Sequence, residues 1–131
     1  MIETRWNASY IATVFGWIFI IVGVLGFIPN PLVYSDGFFH VNAAHNVVHL
    51  VAGALLVASP YFGAPVTTIR VVAVVYALVA IIGFIAPNIA TLDGAIAMNH
   101  ADHWLHALLA AILLLIGFTK PMEERVTPAN M

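Results

Sequence analysis

The sequence predicts an all-α integral membrane protein, an antiparallel bundle of four helices built from two repeated helical hairpins. Three observations carry this expectation. Hydrophobic residues fill 63% of the 131 positions and charged residues only 8%, with a mean hydropathy of +1.02. A soluble domain carries about a quarter charged residues, so this chain lacks the polar surface to cover a water-soluble globule and the bilayer is its solvent. The apolar residues gather in four separated stretches, and the second half of the chain echoes the first at a fixed offset.

The first stretch, residues 11–28, has Thr13 as its only polar member. "GFIPNP" closes it where a small-residue cleavage pattern would mark a signal peptide, so it reads as a membrane helix. The third, residues 71–86, carries no charge. The second and fourth, 47–58 and 104–118, are shorter and are interrupted by His49 and His106. A spanning helix needs about 20 residues to cross about 30 Å of hydrocarbon, and the fourth run reaches only about 22 Å at about 1.5 Å per residue. To span, the second must extend back through Asn42, His45 and Asn46, and the fourth through Asn99, Asp102 and His103. The polar clusters then belong to the helices and dip below one membrane face. The expected membrane domain covers 1–120, with one repeat over about 8–60 and the other over about 69–118, followed by a polar cytoplasmic tail, 121–131.

All four basic residues fall on one side of these spans. Arg5 precedes the first, Arg70 lies between the second and third, and Lys120 and Arg125 follow the fourth; 29–41 and 87–101 contain none. The positive-inside rule places both termini in the cytoplasm and the His-bearing helix starts at the outer face of the plasma membrane. The net charge of -2 argues against nucleic acid as a partner. The partners to expect are the lipid bilayer and, within it, another membrane protein or a second copy of the chain. With no cysteine, disulfides, thiolate metal sites and thiol catalysis are all excluded.

The repeat has an offset of 57 residues (26 to 83). It pairs Gly26-Phe27-Ile28 with Gly83-Phe84-Ile85, Asp36-Gly37 with Asp93-Gly94, Asn42 with Asn99, and His49 with His106. Each unit holds two spans, so the copies share one orientation and are related by an axis along the membrane normal.

At about 100° per residue, Asn42, His45, Asn46, His49 and Gly53 share one helix face, and Asn99, Asp102, His103, His106 and Ala110 share the same face of the fourth helix. Intramembrane polar groups turn inward, so the two ladders are expected to meet, with Gly53 and Ala110 letting the two backbones approach just below. Part of each ladder has a structural reading. Asn42 and Asn99 stand where N-caps belong. Asp102, three residues after its cap, is placed to return a bond to the helix start. Trp104 reads as an interfacial anchor, and His40 and His100 as exposed.

His49 and His106 lie too deep to cap anything, and each needs a partner. One reading is a non-enzymatic scaffold in which a structural polar cluster, with Asn42, Asn46, Asn99 and His103, hydrogen-bonds the hairpins together across the axis. The other is a cofactor site. His45 and His49, four apart on one face, could share a transition-metal ion with Asp102 and His106. A b-type haem between His49 and His106 as axial ligands is a further version, opposed by the small residues beside them. Two converging helix N-termini would also suit an anion or a lipid headgroup. Ser9, Ser35 and Ser59 all lie away from the cluster, which offers no nucleophile with an adjacent base.

"NAAHNVVHLVAG" and "ADHWLHALL" resemble the small four-helix membrane proteins, mainly bacterial, grouped as domain of unknown function 4383. The motif of that group is His-Asn-x-x-His-Leu opening the second helix and Asp-Asn-x-Leu-His opening the fourth. Here it matches His45, Asn46, His49 and Leu50, then Asp102, Leu105 and His106. His103 stands where the group has asparagine, which implies a polar position rather than a specific ligand. The resemblance implies an integral membrane protein and brings no activity with it.

Overall fold

A computed structural model describes residues 5–123. Residues 124–131, and with them Arg125 and most of the expected polar tail, lie outside the described residues. In chain order the elements are β1 (Trp6–Asn7), α1 (Ala8–Leu25), β2 (Val33–Tyr34), β3 (Phe39–His40) and α2 (Ala43–Ala58), which runs on into a 3-10 turn (Ser59–Phe62). There follow α3 (Pro65–Ile85), α4 (Pro87–Ala90), α5 (His100–Thr119) and β4 (Met122–Glu123). The fold is an all-α four-helix bundle.

Side chains set the helix starts. Asn7, Asn42 and Asn99 each accept from the backbone N–H three residues on, at 2.9, 3.0 and 3.1 Å, and so satisfy one of the orphan donors of a helix start. Proline at the first turn opens α3 and α4. Gly63, at φ 68°, ends the 3-10 turn in the left-handed conformation glycine adopts without strain. As expected, α2 and α5 extend back to Asn42 and Asn99, so His45, His49, Asp102, His103 and His106 are all helical.

Four helices among the described residues are long and apolar enough to cross a membrane. Only about a third of each span is buried, and the exposed remainder is rich in large apolar side chains such as Trp17, Ile21, Val51, Leu78, Ile81, Leu108 and Leu115. An apolar surface on this scale is that of a multi-pass membrane protein.

The helices pack chiefly in two pairs, α1 with α2 and α3 with α5. Within the first pair the contacts descend along α2 as they ascend along α1. Gly16 meets Gly53 and Val57, Gly23 meets Leu50, and Gly26 meets Asn46. A Cβ on Gly53 would fall 2.7 Å from the Gly16 carbonyl oxygen, so both glycines are needed for the helices to touch. The close approach expected at Gly53 is therefore with α1, not with α5. Gly53 packs on the neighbour in sequence, with Gly16 answering it from α1, Gly23 from the same helix meeting Leu50, and Gly26, just past its end, meeting Asn46. Contacts recur at the 57-residue offset: Gly26 lies against the Asn46 side chain, and Gly83 against that of His103. Phe19 packs on His49 with ring centroids 5.4 Å apart, and Tyr76 on His106 at 5.2 Å. Leu56 and Leu113 are both fully buried.

At the end that carries Arg5 and Lys120 the chain closes on itself. Trp6 N donates to the Pro121 carbonyl at 2.8 Å, β1 pairs with β4, and Arg70 Nε donates to the Gly117 carbonyl at 2.7 Å. The histidines lie at the opposite end.

Candidate metal centre

The two connections at the histidine end, 26–42 and 86–99, each reach across to the other pair of helices. Asn42 Nδ2 donates to the Ala95 carbonyl at 3.0 Å, and Asn99 Nδ2 to the Phe38 carbonyl at 2.8 Å. His45 Nδ1 meets the Ala97 carbonyl at 2.6 Å, and Asp102 Oδ2 accepts from His40 N at 3.2 Å. Each bond in these two sets maps onto its mate by the same offset, since Phe38 and Ala95, and His40 and Ala97, are also 57 apart. Each helix start is thus clamped by the loop of the opposite pair.

The clamp decides what His45 can do. A carbonyl only accepts, so His45 carries its proton on Nδ1 and presents a bare Nε2. Ligating histidines are held this way, with the second nitrogen donating to a backbone carbonyl. His45 Nε2 accepts a hydrogen bond from His49 Nε2 at 3.1 Å, and His106 from α5 joins them, with ligand atoms of all three within 4.8 Å of one another. Two nitrogens on one tetrahedral ion at about 2.0–2.1 Å stand about 3.3 Å apart, so the His45–His49 spacing already fits a shared ion. His45 and His106 are each 4% exposed, and His49 is half-buried.

Asp102 departs from the expected ligand set. Its Oδ2 accepts from Asn99 N at 2.7 Å as well as from His40 N, completing a capping box at the α5 start. Backbone N–H groups and the positive end of the helix dipole hold the carboxylate there, and Asp102 is not one of the residues whose ligand atoms converge. Asp102→Ala is expected to lower stability by about 1.5–3 kcal/mol, the scale of hydrogen bonds to a charged group, measured as thermal unfolding in detergent. A loss below about 0.5 kcal/mol would show that the clamp is not needed.

Asn46 and His103 are buried within their own helix pairs, against Gly26 and Gly83, and do not join the imidazole group. Trp104 Nε1 donates to His100 Nε2 at 3.3 Å on the exposed face, with Phe84 packed on both rings. A direct hydrogen bond joining His49 to His106 across the axis is also not what forms. Their ring centroids stand 6.4 Å apart, and the Nδ1 atoms of both have no hydrogen-bond partner among the described residues. The imidazoles are therefore not a closed polar network.

A cavity of about 80 Å³ adjoins the three rings, lined also by Tyr76, Ile96 and Met98. It has room for a small extra ligand. A porphyrin does not fit, because sites for molecules of that size measure about 300 Å³ or more, and Phe19 and Tyr76 pack directly on the two rings that would be axial.

Tyr76, Met98 and the Ala97 carbonyl were not legible as site components. Tyr76 had one signal, its pairing with Phe19 at the repeat offset. Ala97 and Met98 lie in a connection whose path only the tertiary structure fixes. No curated protein and no solved structure matches the chain. The family model described as Domain of unknown function (DUF4383) matches residues 9–119, most of the chain, and with the two histidine-bearing helix starts inside that match the protein belongs to this family.

Proposed function

We propose that this chain is a non-enzymatic protein of the plasma membrane that holds one transition-metal ion at its outer face on His45, His49 and His106. The observation that carries the reading is the convergence of three imidazoles from two helix pairs, one of them oriented by a carbonyl so that a bare nitrogen faces the others. The bundle is antiparallel and made of two duplicated hairpins, about 8–60 and 69–118, as the recurrence of contacts at one offset supports. Arg5, Arg70 and Lys120 lie toward the end opposite the histidines, which supports cytoplasmic termini and an outward-facing site. Asn42, Asn99 and Asp102 have a different role from the imidazoles. They lock the hairpins together, and the scaffold role belongs to them.

Elemental analysis of untagged protein purified in detergent tests this reading. The expected result is a stoichiometric transition metal, or its uptake on titration with Co(II), lost in His106→Asn because an amide is a poor ligand for such an ion. Wild-type protein that neither contains nor takes up an ion would overturn it and leave the lock alone. Full metal content in His106→Asn would overturn the assignment of the site.

A further inference from the structure

The cavity beside the imidazoles narrows the choice of metal. Apart from the three histidines and Tyr76, its wall is aliphatic, from Val48, Val75 and Val79 among others, with one exception, the Met98 thioether. Met98 is half-buried and directly follows Ala97, whose carbonyl orients His45, so one short loop segment both aims a ligand and places a methionine in the wall of the same cavity. At the position related by the repeat offset stands Val41, so sulfur is present only on the side where the imidazoles gather.

Resting on the metal-binding reading above, we infer that the site is built for cuprous copper, with Met98 as the fourth ligand to His45, His49 and His106. Two physical arguments lead there. Thioether sulfur is a soft donor that favours Cu(I) over harder divalent ions. The donor set is also neutral: no carboxylate lines the cavity, and Asp102 Oδ2 accepts from Asn99 N and His40 N instead. None of these donors cancels the charge of an ion entering the pocket. The cost of burial rises with the square of that charge, so a divalent ion costs about four times what a monovalent one does. A monovalent soft cation is the ion that both terms select.

The test uses the full untagged chain in detergent, titrated anaerobically with Cu(I) against a chromophoric Cu(I) chelator and separately with Co(II). Met98→Leu nearly conserves volume at a half-buried loop position, so the fold is retained, which thermal unfolding verifies. The variant is expected to weaken Cu(I) binding by about tenfold or more and to leave Co(II) binding within about twofold. X-ray absorption of the Cu(I) form should show a sulfur scatterer that Met98→Leu lacks. The inference is overturned if Met98→Leu weakens neither metal, or both equally, or if wild-type Cu(I) protein shows nitrogen neighbours only. The underlying reading fails separately, when wild-type protein binds neither ion or when His106→Asn binds both as wild type does.

Discussion

Gly53→Val is expected to destabilise the protein by about 3 kcal/mol or more, among the largest losses for any single substitution in the bundle. The added Cβ would meet the Gly16 carbonyl oxygen at 2.7 Å and the Ile20 backbone nitrogen at 2.9 Å. Neither is the end of a flexible side chain that could step aside. The helices themselves must part, and packing over the length of α1 and α2 is lost with them. In lipid this loss has little to offset it, since helix association there depends on close van der Waals contact rather than on expulsion of water. Thermal unfolding in detergent measures the effect, with Val51→Ala on the exposed face of the same helix as the control. Equal stability of the two variants would show that α1 and α2 do not pack through Gly16 and Gly53.

Leu56→Ala and Leu113→Ala should each cost about 2 kcal/mol. Both leucines are fully buried, and they are 57 residues apart. In a soluble protein such a change loses transfer energy and leaves a cavity. Here the separated helices remain in lipid, so most of the transfer term drops out and the cavity term dominates. If the hairpins are structural duplicates, the two cavities are alike and so are the losses. A loss at one position more than twice that at the other would break the equivalence.

Much of the fold was legible because the bilayer imposes length. Runs of 12 to 18 apolar residues cannot all span by themselves, so the spans at 47–58 and 104–118 had to recruit Asn42 and Asn99 as their starts, where the helix caps are found. The polar ladder was equally legible, because 3.6-residue periodicity puts His45 and His49 on one face whatever the tertiary structure. What that face meets was not. Gly53 pointed to close packing without saying with which helix, and Gly16 on α1 was its answer. Asp102 had two chemically sensible fates, ligand and cap; its bond from Asn99 N is local, but the second, from His40 N, comes from 62 residues away along the chain. Nor could periodicity foresee the Ala97 carbonyl or Met98, since both sit in an irregular connection.

The reciprocal clamps at the histidine end have a consequence for how the protein is made. Asn42 and His45 emerge from the ribosome with the first hairpin, but their partners Ala95 and Ala97 are synthesised 53 and 52 residues later. His106 comes later still. During translation the first two spans can be inserted and packed through Gly16 and Gly53 while their histidine end stays unfastened. Only when the fourth span enters the membrane do the clamps close and the three imidazoles meet. The cluster of three imidazoles is therefore a product of completed insertion. A chain stalled after three spans has two of these histidines and not the third, so, with the proposed ion bound there, its retention would report that the whole bundle has been assembled.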